Sequence, residues 1–452
     1  MLLFATGLIL QTAGALQITR PSAGALIKPE YCQSVSVARR EMLPLPPTRI
    51  GVMDDRREAL AQSDLGWQMT GVPLVAFDGQ RLLPAACSDD IGIFYMIPML
   101  SRTLRISLGD ASDLFFACII LVAGLLGAVG LMLICRTLLG RFIAVSAIIM
   151  LTLLAWKTGD VYSIQSSVVL AFVPWVLFFG RRRSDWISFA FVILTSAALE
   201  SANLMRSHAG TPLMIFLAWI FMFQWRAKRH VKLLFLLVAL LAMLLPVWYS
   251  HRLLQTRDTY LQTHGYTSVA GLHQHGFWNV VYLGLGYINN DVVPGYRDEF
   301  AAAKVREIAP ETIYASPQYD EYLKREVIHI VVQHPLLVME TLAAKLGVIA
   351  GYVLVCANLG LIAAYRYSKG WPTEVAFWSA MAFQALLGIV AVPAANYLLG
   401  FIAFAVLYGV ISIDVPLEHG VVQAVIDSIR SRWVRTGDGR QTIGPGMSGA
   451  KY

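Results

Sequence analysis

Charge is scarce in this chain. Only 14% of its 452 residues are Asp, Glu, Lys or Arg, where a soluble domain carries nearer a quarter. Hydrophobic residues make up 57% and the mean hydropathy is +0.59. That apolar excess is too large for one globular core, so lipid is the solvent for much of the chain. Several chemistries are missing as well. There is no Walker loop, no HExxH, no CxxC and no Ser-His-Asp order, which argues against an ATP-driven pump and a zinc protease. Neither an internal repeat nor a matched pair of broken helices is present, as a secondary transporter often shows. The net charge of +7 invites a nucleic-acid partner. The basic residues instead fall in short runs between apolar segments, the footprint of membrane topology, so no nucleic acid is expected.

What is present is a series of apolar runs near the ~20 residues that a spanning helix needs. They are Leu114 to Cys135, Leu138 to Trp156, Tyr162 to Gly180, Trp186 to Met205, Pro212 to Trp225, Leu233 to Tyr249, Leu342 to Tyr365, Val375 to Val392 and Tyr397 to Ile413. Leu2 to Leu16 is short and lacks a basic start, which makes it a poor signal peptide and a first membrane helix whose start is open to clipping. The expected fold is an all-α polytopic membrane protein with about ten transmembrane helices. Residues 1–19 form the first helix and 20–113 a first large loop. Helices two to seven occupy 114–249, a second large loop 250–335, and helices eight to ten 336–413. The tail, 414–452, is Gly-rich and polar from Thr436 and reads as partly disordered.

The basic clusters set the orientation. Arg136 with Arg141, Arg181 to Arg183, Arg226 to Lys232, Arg366 with Lys369, and the tail arginines all fall on one side when helices are counted. That side is the cytoplasm, with both termini there and both large loops outside a bacterial-type inner membrane. Three cysteines, Cys118, Cys135 and Cys356, lie in apolar runs, while Cys32 and Cys87 share the first loop. In an oxidising space those two can pair, and two free thiols fit as well.

Ionisable residues gather at the outer ends of the helices. Asp89 and Asp90 open the amphipathic stretch Ile91 to Arg102. One Asp there serves as a helix cap, and a second exceeds what a cap needs, which points to a general base or a cation-binding pair. Asp160 sits in a short outer loop on the same face, as a cap or part of that site. Arg206 and His208 follow the Trp186 to Met205 helix and suit a lipid phosphate or plain headgroup anchoring. Glu200 lies six residues from Arg206, on roughly the opposite helix face. The second loop opens with His251, Arg252 and Arg257. It continues with His273, His275 and Trp278, then Asn290 and Asp291, a mixture that suits sugar hydroxyls and CH faces or a folded surface loop. His273 and His275 have no third and fourth ligand beside them, so no metal site is assigned. Tyr319 to Gln333 reads as an amphipathic helix that turns at His334 and Pro335.

The layout resembles the GT-C superfamily of membrane glycosyltransferases, which use polyprenyl-phosphate-linked sugars. It is similar to protein O-mannosyltransferases and lipid A aminoarabinose transferases. The likeness spans about Leu2 to Tyr365 and lies in arrangement more than in residues. It rests on the first helix, the acidic segment Ser88 to Arg102, Asp160 in the next outer loop, and the second large loop. It implies inverting sugar transfer to a glycan, lipid or protein acceptor in cell-envelope polysaccharide assembly. Asp89 or Asp90, helped by Asp160, would be the catalytic carboxylate. Arg206, His208, Arg252 and Arg257 would hold the donor phosphate, with His273, His275, Trp278, Asn290 and Asp291 on the acceptor side. Some members use a divalent cation and others do not, so no cofactor is fixed. About seventy residues separate the first helix from the acidic pair here, where the motif usually follows closely; Asp54 and Asp55 are the other counterpart. A different polysaccharide polymerase or ligase, a flippase or transporter of lipid-linked glycans, and an inactive scaffold of glycan assembly are the competing readings.

Overall fold

A computed structural model of the chain describes residues 54–80, 82–85, 91–182, 186–264, 276–312, 316–367 and 369–418, with side chains from residue 59 onward. Eight of its helices are long and apolar enough to cross a membrane. They are α3 (Leu108–Ile134), α4 (Leu138–Thr158), α5 (Ser163–Gly180), α6 (Trp186–Met205), α8 (Arg229–Thr263), α12 (Pro335–Ala357), α14 (Trp371–Val390) and α15 (Leu399–Glu418). The Pro212 to Trp225 run becomes a shorter helix, α7 (Thr211–Trp219), which ends in a π turn over Ile220–Gln224. Leu2 to Leu16 lies outside the described residues. The protein is thus a helical multi-pass membrane protein with eight long apolar helices among the described residues.

Local chemistry sets the breaks. Ser107 caps α3 by accepting from the Asp110 amide at 3.1 Å, and Thr137 caps α4 through the Gly140 amide at 2.9 Å. Such caps satisfy amides that the first helical turn leaves unpaired. Gly159 closes α4 at φ 51°, a left-handed conformation that favours glycine. In the π turn, Lys232 donates to the Met222 carbonyl at 2.7 Å. Asn203, near the end of α6, accepts from the Gly210 and Thr211 amides at 2.7 and 3.2 Å and donates to Glu200 at 3.0 Å. One side chain therefore caps the next helix and fixes the α6–α7 corner.

Helices α5 and α15 form the centre of the bundle. In each, 83% of the apolar window is buried, against 17% in α8. The α8 surface is lined by exposed Leu237, Leu240, Leu241, Leu244 and Leu245, a side-chain set matched to hydrocarbon.

Two further layers cover one end, called here the loop end. The first holds α1 (Asp54–Thr70), a hairpin of β1 (Val75–Phe77) and β2 (Leu82–Pro84) paired antiparallel, and α2 (Ile91–Leu104). Arg102 of α2 bridges to Asp64 at 3.0 Å and lies 4.2 Å over Trp67. Trp67 stacks on Tyr95, whose hydroxyl meets that of Tyr249 on α8. The second holds α9 (Phe277–Leu285), α10 (Asp298–Ile308) and α11 (Pro317–Gln333) around its own core of Tyr282, Leu283, Val293, Val305, Leu323 and Val327. Asp320 of α11 caps α9 by accepting from the Trp278 and Asn279 amides at 3.0 and 3.3 Å.

The largest differences from the hydropathy reading lie in two spans. Helix α8 runs fourteen residues past Tyr249 to Thr263, because Ser250 to Thr263 holds no Gly or Pro and a helix need not stop where apolarity does. The Leu342 to Tyr365 run is two helices, α12 and α13 (Leu359–Arg366), broken at Asn358 with φ 41°. Helix α12 also starts seven residues earlier, at Pro335, a residue suited to a first helical position.

Candidate functional site

At the loop end, four chain segments bring tyrosines and a guanidinium together. After the Gly159 cap, Asp160 turns the chain into α5. Its Oδ1 accepts from the Val161 amide at 2.5 Å, and its carbonyl accepts from the Ser163 amide at 2.8 Å. Only 6% of Asp160 is exposed. Two residues on, Tyr162 carries the Arg206 guanidinium 4.4 Å from its ring centroid, a cation–π contact. The other edge of Tyr162 meets Tyr397, from the α14–α15 turn, at 4.9 Å between centroids. Tyr296, from the α9–α10 loop, donates to the Tyr397 hydroxyl at 3.4 Å. Buried Asp160 and Tyr162 and half-buried Arg206, Tyr296 and Tyr397 thus gather in one group.

Below it lies a second rung. Gln384 of α14 donates to Gln165 of α5 at 2.9 Å, and Gly400 of α15 packs against both. To one side, Lys345 of α12 is only 2% exposed. Its Nζ donates to the Ile389 carbonyl at 2.8 Å and lies 5.9 Å from the Tyr287 ring. A lysine at a helix C-terminus satisfies carbonyls that the helix leaves unpaired and complements its dipole.

Burial pushes the Tyr296 hydroxyl up to about 12; its hydrogen bond to Tyr397 and the charge of Arg206 oppose the shift, while Tyr162 and Asp298 add to it. Burial also raises Tyr397, against the pull of Arg206. Both are therefore neutral hydroxyls, able to donate and accept, near neutral pH. The sign for stability follows. A folded-state pKa raised from about 10 favours folding below pH ~10 and loses that contribution as pH rises toward 12. Thermal melts between pH 9 and 12 are expected to show an alkaline loss of stability that Tyr296→Phe reduces. An unchanged pH profile in the variant would count against the burial assignment.

The residues expected from sequence fall in several places. Asp160 and Arg206 join the group just described. His208 is exposed in the next turn, its ring 6.1 Å from Phe383. Arg252 is exposed on the extension of α8, 5.6 Å from the Trp248 ring. It lines an open groove of about 770 Å³ with Gln255, Thr256, Thr259 and Val72. Arg257 is 1% exposed and ion-paired to Asp258 at 2.7 Å. Trp278 is half-buried at the start of α9, and Asp291 is exposed. The Asn290 amide is taken up by its own loop. It donates to the Leu285 and Ile288 carbonyls and accepts from the Val292 and Val293 amides. Asp89, Asp90, His273, His275, Cys32 and Cys87 lie outside the described residues. Among the described residues, no group of three or more His, Cys, Asp or Glu side chains converges to hold a metal.

No protein-family model, no curated protein and no solved structure matches this chain.

Lys345 and the three tyrosines were not singled out by sequence. Lys345 does leave a signal, since a charge inside an apolar run is costly in lipid and usually faces protein or a cavity. The tyrosines leave none. They are three of eighteen, and only the fold assembles them.

Proposed function

We propose that the protein is a membrane glycosyltransferase that moves a sugar from a polyprenyl-phosphate donor to a glycan, lipid or protein acceptor at the loop end. The observation that carries this reading is the Arg206 guanidinium held over Tyr162, two residues from buried Asp160. A cation and a carboxylate then lie where lipid headgroups would meet the loop layers. In the proposed step the acceptor hydroxyl or amine attacks the anomeric carbon as the bond to phosphate oxygen breaks, with inversion. The bonding pair leaves with the polyprenyl phosphate, whose charge Arg206 meets. The acceptor proton passes to a carboxylate, Asp160 or the Asp89–Asp90 pair. His208 and Arg252 would extend the donor side.

The orientation belongs to the same proposal. Arg136 and Arg181 sit at helix ends opposite the loop layers, as does Lys369, which pairs with Glu374 at 2.8 Å. With cytoplasmic termini and residues 1–19 as a further span, the loop end faces away from the cytoplasm in a bacterial-type inner membrane. A flippase reading draws on one observation, the Gln165–Gln384 pair buried inside the bundle. A flippase would move lipid-linked glycan across vesicles without consuming it, and a transferase would release polyprenyl phosphate.

The test is binding of polyprenyl monophosphate to the purified full chain in detergent, read as a rise in melting temperature. Wild type is expected to be stabilised and Arg206→Ala not. No stabilisation of wild type, or equal stabilisation of the variant, would overturn the phosphate assignment.

A further inference from the structure

Helix α11 carries two different exposed surfaces on one side. In its first half the exposed residues are Pro317, Gln318, Glu321 and Arg325. Glu321 pairs with Lys324 at 3.3 Å and with Arg325 at 3.4 Å. These pairs hold the Glu321 carboxyl below its ordinary range. That is a surface built for water.

One heptad later the same side is mainly apolar, with exposed His329 at its edge. Seven residues beyond Glu321, Lys324 and Arg325 come Ile328, Val331 and Val332, and a heptad step returns to nearly the same helix face. Ile328 is 49% exposed, Val331 44% and Val332 67%. These side chains are not the core of the second loop unit, which Leu323, Val327 and Ile330 on the opposite face supply. Past exposed Gln333, His334 and Pro335, exposed apolar surface resumes at Leu336 and Met339 of α12, 72% and 66% exposed. Helix α12 is one of the eight helices long and apolar enough to cross a membrane.

We infer that the last turns of α11 are immersed in the bilayer. The second loop unit would then be seated in the membrane surface rather than held clear of it. The occupant of the Ile328–Val332 face is lipid, because that face lies only four residues before exposed Leu336 of α12, a helix apolar enough to span the membrane. Immersion is shallow, at the boundary of headgroups and acyl chains, where interfacial helices bury their apolar face by ~5–10 Å. Exposed Glu340 agrees with this depth. It lies five residues beyond Pro335, about 8 Å along the helix axis, so its carboxylate lies within reach of the headgroup layer. Lys324 and Arg325 sit at the level of the lipid phosphates, where their long side chains extend toward water. The immersed turns lead directly into the α9–α11 core, so they set the height of Tyr296 and the site above the membrane.

The test is spin labelling of the full-length protein in vesicles of phosphatidylethanolamine and phosphatidylglycerol. Glu321→Cys, Ile328→Cys, Val332→Cys and Leu336→Cys each place a label at an exposed position, with the unsubstituted chain as background. Collision with molecular oxygen reports lipid, and collision with a water-soluble nickel chelate reports water. The expected result is a reversal of the two between 321 and 328, with 328 and 332 resembling 336. Nickel access at 328 and 332 equal to that at 321, with 336 lipid-like, would overturn the immersion while leaving α12 as a span. Low access of both reagents at 328 and 332 would mean that protein covers the face, and would overturn it too.

Discussion

Asp160→Asn is expected to lower sugar transfer from a polyprenyl-phosphate donor by about 10²–10⁴-fold, the usual contribution of a positioned acid or base. The substitution is nearly isosteric. Asn Oδ1 can still accept from the Val161 amide, which Asp160 holds at 2.5 Å, so the turn into α5 keeps its main local bond. What is lost is the negative charge and the capacity to take a proton. A structural role for Asp160 would therefore show mainly in the melting temperature, and a chemical role in the rate. The measurement is release of labelled polyprenyl phosphate by membranes carrying equal amounts of each protein. Near-normal turnover in Asp160→Asn would remove Asp160 from the mechanism and leave the carboxylate role to Asp89 or Asp90, testable by the same substitution.

Gly284→Ala should show the largest effect on folding. Gly284 lies where α9 of the second loop unit touches the end of α14. A Cβ built there would stand 2.0 Å from the Val390 carbonyl oxygen and 3.0 Å from Lys345 Nζ. The first contact is with backbone, so no rotamer change relieves it. Forcing extra atoms into packed structure typically costs about 1–3 kcal/mol, occasionally more. The second contact adds to this, because Lys345 donates to the carbonyl of Ile389, one residue before Val390. Displacing it would leave a buried ammonium without that partner. The expected outcome is a clear drop in melting temperature, with limited proteolysis cutting first between α9 and α11. A variant as stable as wild type would mean that α9 does not pack on α14 in this way.

Much of the scaffold is legible from hydropathy. The Trp186 to Met205 helix has the same bounds in the sequence and in the structure, because Asp185 and Arg206 bound a run whose single charge is Glu200. The amphipathic reading of Tyr319 to Gln333 likewise misses only the first two residues of α11. Errors arise where a helix and its apolar stretch differ in length. Helix α8 continues through fourteen polar-rich residues, which hydropathy reads as the start of a loop. The Asn358 break inside an apolar run is not legible from hydropathy, because it turns on the backbone of one residue, Asn358 at φ 41° and ψ −123°, while the apolar pattern runs on either side of it. The candidate site was half legible. Asp160 and Arg206 stand out as charges at span ends, whereas Tyr162, Tyr296 and Tyr397 come from three separate segments and meet only through the packing of α5, α15 and the second loop unit.

The unbroken length of α8 has a mechanical consequence. Thirty-five residues make a rod of roughly 50 Å, longer than the ~30 Å hydrocarbon layer. The groove beside Arg252 and the Tyr95–Tyr249 contact are both carried on the same rod. If the bilayer thins or the rod tilts, both must rise or swing together relative to the headgroups. Any such movement would be passed to the first loop layer through the Tyr95–Tyr249 contact.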